Sequence, residues 1–228
     1  MNEYLGRGIY IISEVSRLTG IRATTVRRWV DGYRYVRNAS ARLSVPVFGT
    51  EYGAIEGKTA LSFLDLVEIR FIEVFRSYGV SWPTIRVASL RAAELLDCAH
   101  PFAKKVFYTD RRTIFARISQ GSDDVALIDL AKGQYAIDKI LSPYLHSGLE
   151  FNGEEVAERW WPKGKQAGIV VDPKRNFGRP IMDKYNVPTR VLASALRAGA
   201  SIREVAEWYE VDEESVQAAA DFEVKSAA

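Results

Sequence analysis

The amino-acid pattern predicts a mainly α fold with short β hairpins, built as an N-terminal winged helix-turn-helix and a C-terminal tri-helical, helix-turn-helix-like domain. Three observations predict it. Two short helical patterns separated by a glycine fill 10–33, and the second is rich in arginine. Two longer apolar helical patterns follow between 63 and 96. The last part of the chain, 190–222, reads as three short helices with Ser201 and Asp212 at capping positions.

The 228 residues exceed the usual domain size of about 100–150. We expect a DNA-binding domain over 1–97, a connecting strand and helix segment over 98–162 as a candidate dimer interface, and a C-terminal domain over 169–224. With 47% hydrophobic and 26% charged residues, wholesale disorder is excluded. No apolar run approaches the roughly 18 residues of a membrane span, and no charged-then-apolar leader opens the chain. A cytoplasmic protein without a membrane partner is the expectation. Cys98 is the sole cysteine, which rules out an intramolecular disulfide or a cysteine-rich metal site. His100 and His146 are isolated, Asp123-Asp124 lacks a third carboxylate at useful spacing, and no nucleophile elbow or phosphate loop occurs. Neither catalysis, cofactor nor metal is expected.

From Tyr10 to Tyr33 the chain reads YIISEVSRLTGIRATTVRRWVDGY. Ser13 stands where it would cap the first helix, with Ser16 three residues on in place of a capping-box Glu. Val15, Leu18, Ile21, Val26 and Trp29 or Val30 recur at spacings that close a small core. Gly20 takes the left-handed position that ends a helix cheaply. Arg22, Thr24, Thr25, Arg27 and Arg28 lie outside that core, offering guanidinium and hydroxyl groups to phosphates and base edges. Thr24, Thr25 and Arg28 are the expected base readers and Arg22 a phosphate contact. Arg27 either joins them or forms an ion pair within the domain.

Beyond a small-residue loop, Asn38 to Ser44, the segment Val45–Phe48 and a strand near Ala54-Ile55 are expected to pair as a wing, with Pro46 demoting the first to an edge. Arg37 and Arg42 are the wing-side phosphate candidates. Ser62 and Asp65 form a capping box for a helix from Phe63 to about Tyr78, apolar on more than one face and therefore buried. Ser81 caps the next, Trp82 to about Leu96, with Pro83 in its first turn. Short strands are expected at Lys105–Tyr108, Thr113–Ile118 and Val125–Leu130, then a helix from Gln134 to about Tyr144. Trp160-Trp161 reads as core or interface, and Lys163 to Gly168 as a linker.

The run Glu14-Val15-Ser16-Arg17-Leu18-Thr19-Gly20-Ile21, then Thr25-Val26-Arg27-Arg28-Trp29, resembles the N-terminal unit of MerR-type winged-helix regulators. The succession LSFLDLVEIRFIEVFRSYGVSWPTIR is similar to the segment after the wing in that family, so the resemblance covers roughly the first 95 residues. It implies binding of operator DNA as a dimer. The long dimerising helix and the metal-sensing Cys or His clusters of that family are absent from this sequence.

In the C-terminal part, a buried strand Ile169–Val171 leads to an Asp172-Pro173 turn. Helices are expected at Arg190–Arg197, Ile202–Tyr209 and Glu213–Phe222. Residues 200–228 carry two basic against eight acidic side chains, net −6, whereas residues 1–50 carry eight arginines against three acids, net +5. Carboxylates at Asp212, Glu213 and Glu214 suit a helix N-terminus through its dipole and repel phosphate. A protein-binding role follows for this end.

Asp172-Pro173, Gly178-Arg179-Pro180, Pro188-Thr189 and the run Ala198-Gly199-Ala200-Ser201-Ile202-Arg203-Glu204-Val205-Ala206 resemble the domain-of-unknown-function family 433. Tyr185-Asn186-Val187 departs from its usual turn. Members that carry an N-terminal DNA-binding unit look like VapB-type antitoxins, encoded beside PIN-like ribonuclease toxins. The resemblance implies an antitoxin of a type II toxin–antitoxin system that neutralises a PIN-like toxin and represses its own operon, as a homodimer or a larger assembly with the toxin. Lys174, Arg175 and Arg179 would then offer cations to the carboxylates of the toxin's active site, or Trp208, Tyr209 and Phe222 would supply an apolar interface. The alternative is a one-component MerR-like regulator responding to a small ligand.

Overall fold

The structure, a computed structural model, describes residues 4–109, 114–119, 125–132, 134–136 and 147–225. Helices and small antiparallel sheets alternate along the chain, so the mainly helical expectation is corrected to a mixed α/β architecture. Two compact units divide it: a larger one of Ile11–Ser147 and Phe151–Ala157, and a smaller one of Met1–Tyr10, Gly148–Glu150 and Glu158–Ala228.

Strand β1 (Tyr10–Ile11) leads into α1 (Ile12–Thr19) and α2 (Ala23–Val30) of the larger unit. Ser13 is not the cap: the helix begins one residue before it, and Glu14 in the first turn accepts the Ile11 N–H at 3.1 Å. Gly20, at φ 76°, ends α1 with its N–H on the Ser16 carbonyl at 2.9 Å. Val15, Leu18, Ile21, Val26, Trp29 and Val30 are all buried, as their spacing predicts.

Two hairpins follow where one wing was expected. β2 (Tyr33–Arg37) pairs antiparallel with β3 (Ser40–Ser44), and β4 (Ala54–Ile55) with β5 (Lys58–Leu61). Each turns on two residues of positive φ, Asn38-Ala39 (51° and 59°) and Glu56-Gly57 (49° and 74°). Such turns match the right-handed twist of their flanking strands. The pairing of Val45–Phe48 with Ala54-Ile55 is therefore corrected. Val47 and Phe48 are buried instead, and the Val47 N–H donates to the Trp29 carbonyl at 2.8 Å.

Helix α3 (Phe63–Ser77) forms the centre of this unit. Its Ser62–Asp65 capping box is present in both directions, at 3.1 and 2.8 Å. Leu66, Val67, Ile69, Phe71, Ile72 and Phe75 are buried on several faces. Phe75, Phe102 and Phe107 stack edge to face, with centroids 5.2 and 5.1 Å apart. Among them Glu68 is fully buried and accepts the Phe102 N–H at 2.7 Å; burial pushes its carboxyl up to about 8. Helix α4 (Trp82–Leu96) starts at the Ser81 cap with Pro83 in the first turn. Arg91 on α4 donates to the carbonyls of Leu130 and Ala131 at 3.0 and 2.8 Å. It thereby fastens a four-stranded meander, β6 (Phe107–Thr109), β7 (Ile114–Ser119), β8 (Val125–Asp129) and β9 (Gln134–Ala136). The helix expected from Gln134 is corrected at its start: Gln134–Ala136 pairs with β8, ladder bonds overriding the local helical pattern. Its continuation to Tyr144, together with Asp123-Asp124 and His146, lies outside the described residues.

Strands β10 (Leu149–Phe151) and β11 (Ala157–Trp160) form a two-stranded sheet. The smaller unit adds the sheet β12 (Ile169–Val170), β13 (Ile181–Met182) and β14 (Val187–Pro188), then α5 (Thr189–Arg197), α6 (Ile202–Tyr209) and α7 (Glu213–Lys225). Trp160 and Trp161 are both core, and Lys163–Gly168 lies inside this unit, where it makes a 3-10 turn. Leu192, Val205, Val216, Ala219 and Phe222 bury the faces shared by the three helices. Ser201 and Glu204 cap α6 reciprocally. The N-terminal segment is stitched into the same unit, with Ile9 N–H on the Phe177 carbonyl at 3.1 Å and the Tyr10 phenol on the Gly178 carbonyl at 2.7 Å. Gly178 sits at φ 80°, and a Cβ there would lie 2.1 Å from the Tyr10 oxygen, so only glycine fits.

Candidate nucleic-acid and partner interfaces

Helix α2 turns Val26, Trp29 and Val30 inward, which leaves Arg22, Thr24, Arg27 and Arg28 exposed and Thr25 half-buried. Arg28 stacks over Tyr33, 5.3 Å from the ring centroid, linking the helix to the base of the β2–β3 hairpin. That hairpin is exposed on both faces. Its register sets Tyr35 opposite Arg42 and Arg37 opposite Ser40, and the Tyr33 and Tyr35 rings lie 5.8 Å apart. Arg42 is exposed; the Arg37 side chain lies outside the described residues.

Among the described residues, Arg22, Arg27, Arg28, Arg34 and Arg42 make no ion pair. The alternative of an internal partner for Arg27 is thus not realised. A solvated arginine is ordinary; five on one helix and its adjoining hairpin, all without carboxylates, make a surface for a polyanion. Arg34 and the two tyrosines were missed in the sequence. The alternation YRYVR before Asn38-Ala39 was the available signal for a strand leading to a two-residue turn.

The smaller unit treats its cations differently. Lys174 pairs with Glu158 at 2.6 Å, and Arg175 donates through Nε to Asp172 at 3.0 Å and through Nη2 to Asp183. Asp172 also faces Arg159 at 3.5 Å and accepts the Lys174 N–H at 2.9 Å, the fold of the expected Asp-Pro turn. The Asp183 and Asp172 carboxylates raise the Arg175 guanidinium above its ordinary range despite burial. Arg179 is exposed. Phe222 is 3% exposed and belongs to the core, whereas Trp208 is 63% exposed and Tyr209 stands half-open beside it. Of the predicted partner residues, then, the two aromatics of α6 and Arg179 reach solvent, Lys174 and Arg175 are held by carboxylates, and Phe222 builds the interior.

Around Trp208 stand exposed Glu207, Glu210 and Asp212; Glu207 pairs with Arg203 at 3.1 Å and Asp212 with Lys184 at 3.4 Å. Asp212 caps α7 by accepting the Ser215 N–H at 2.7 Å and takes the Tyr185 phenol at 2.6 Å. The Ser215 and Tyr185 hydrogen bonds hold its carboxyl well below the usual range. It stays ionised through any ordinary pH.

Among the described residues no three His, Cys, Asp or Glu side chains gather as a metal site, and no helix is long and apolar enough to cross a membrane. Residues 169–222 match the family described as a protein of unknown function, DUF433. Along nearly its whole length the chain is similar to the "Putative antitoxin VapB45" of Mycobacterium tuberculosis, at 28% identity over 223 residues, 93% of this chain and 92% of that one. It shares its fold with the crystal structure of Rv2018 from Mycobacterium tuberculosis, with a TM-score of 0.63 and 24% identity over 92% of this chain and 96% of the other. Both likenesses run along nearly the whole chain, and the second concerns the fold.

Proposed function

We propose that this chain is the antitoxin of a type II toxin–antitoxin pair, and that it neutralises a PIN-like ribonuclease and represses its own operon. One observation carries the DNA half: among the described residues, Arg22, Arg27, Arg28, Arg34 and Arg42 face solvent with no carboxylate partner. Helix α2 enters the major groove with Thr24, Thr25 and Arg28 toward base edges. Arg22, Arg27, Arg37 and Arg42 meet phosphates, and the hairpin serves as the wing. The DNA-binding part is assigned to residues 1–97, of which Met1–Tyr10 belong to the smaller unit. A homodimer, joined through 98–162, would read two half-sites about one helical turn apart or a multiple of it.

Toxin binding belongs to 169–224. With Lys174 and Arg175 already neutralised, insertion of a cation into the toxin's carboxylates gives way to the Trp208–Tyr209 surface. Exposed aromatics of this kind suit a protein partner. Two assays on the full chain test the reading. The first titrates duplex DNA from upstream of its own reading frame, expecting saturable binding that weakens steeply with salt. The second adds the chain to the neighbouring PIN-like nuclease and follows RNA cleavage. A chain that neither shifts that DNA nor inhibits that nuclease is not this antitoxin.

A further inference from the structure

Beside α2 lies a groove of about 390 Å³ that shares only Thr25 and Arg28 with the residues of the DNA reading. Its walls are aromatic: Trp29 and Trp82 meet edge to face with centroids 5.3 Å apart, and Tyr33 closes one side. Its rim is cationic. Arg28, Arg76 and Arg86 all line it, against the single carboxylate of Glu73. None of the three guanidiniums forms an ion pair among the described residues. Arg28 and Arg76 lie over the rings of Tyr33 and Trp82 at 5.3 and 5.0 Å. Arg76 also donates to the Val80 carbonyl at 2.6 Å, and Arg86 to the carbonyls of Pro46 and Val45 and the Ser44 hydroxyl at 2.7–3.1 Å. Neutral oxygens fix Arg76 and Arg86, the Tyr33 ring seats Arg28, and none of these partners compensates the charge. A concave site with flat walls and a net positive rim complements a flat anion.

We propose that this groove binds a planar aromatic anion, its oxyanion held by Arg28 and the Thr25 hydroxyl and its ring packed against Trp29, Trp82 and Tyr33. Aromatic carboxylates and mononucleotides share that chemistry. Thr25 and Arg28 stand on the α2 face assigned above to DNA, so occupant and duplex exclude one another. This second clause rests on the DNA reading; the first does not.

Trp29 and Trp82 make the test direct. Salicylate, a purine mononucleotide and inorganic phosphate are titrated into the full chain, and tryptophan fluorescence is followed beside calorimetry. We expect one-to-one saturable binding of salicylate or the nucleotide, inorganic phosphate binding at least tenfold more weakly for want of a ring. Which ring compound wins separates the two sources. Arg28→Ala and Thr25→Val should each weaken binding about tenfold, with circular dichroism unchanged, while Arg203→Ala on α6 has no effect. No saturation by either ring compound to millimolar concentration, or binding that survives Arg28→Ala, overturns the site. Displacement of bound operator DNA by the winning compound supports exclusion, and simultaneous binding overturns it. If the compound binds as described but no DNA does, the groove stands and the DNA reading falls.

Discussion

Two parts of this chain carry groups of arginine and lysine, and they treat that charge in opposite ways. In the smaller unit, Lys174, Arg175, Arg159 and Lys165 are each matched by a carboxylate: Glu158, Asp172 and Asp183, Asp172 and Glu150, and Glu150. Around α2 and on the β2–β3 hairpin, Arg22, Arg27, Arg28, Arg34 and Arg42 have none among the described residues. A matched cation holds a loop in shape. An unmatched one on a rigid helix is available to a partner, because nothing local must be broken before it binds. Positive residues therefore count toward binding only after their internal partners are subtracted.

The largest expected effect concerns a charge that the core does not allow at all. Glu68 has its folded carboxyl raised from 4.5 to about 8 by burial. Its contribution is fully present below the unfolded value and is lost as pH rises from about 4.5 through about 8. Buried Asp65 is raised in the same direction, again by burial, and adds to the trend. Denaturant melts of the chain should therefore lose several kcal/mol across that window, at about 1.4 kcal/mol for each tenfold change in proton affinity. Glu68→Gln should flatten the curve. A flat wild-type profile would mean that the carboxylate is solvated.

Next comes the matched network. Asp172→Ala removes the partner of Arg175 and Arg159 and the acceptor for the Lys174 N–H, and should lower stability by about 2–4 kcal/mol. Arg28→Ala is its counterpart. It should leave the melting curve within about 0.5 kcal/mol yet weaken operator binding by about 1–3 kcal/mol. The comparison fails if Arg28→Ala unfolds the chain or if Asp172→Ala does not destabilise it. The smallest effect is at the hairpin turn. Ala39 holds φ 59°, a conformation that glycine adopts without strain, so Ala39→Gly should stabilise by about 0.5–1 kcal/mol in the same melts.

Elements with a strong local signal were legible in the sequence. The Ser62–Asp65 and Ser81 starts, the Gly20 stop, the core spacing of α1 and α2 and the Ile202–Tyr209 helix all follow from caps and apolar periods. Pairing choices were not. Which segment β4 joins, and whether Gln134–Ala136 extends a sheet, depend on partners elsewhere in the chain and on turns made by non-glycine residues at positive φ. The α2 surface could be read from composition alone, since exposure needs only that nothing pairs with it. The state of Lys174 and Arg175 could not, because Glu158 and Asp183 become their neighbours only on folding.

The Tyr10–Gly178 contact bears on how such a chain is made. A ribosome releases the first ten residues long before 158–228 exist, so that segment waits through most of synthesis for the unit it completes. The larger unit has no such wait for its own residues, all of which precede Glu158. No single cut in the gene yields both units whole. A fragment beginning at Gly168 leaves the Gly178 carbonyl without its phenol, and separating the two proposed activities calls for point changes on their surfaces, not truncation.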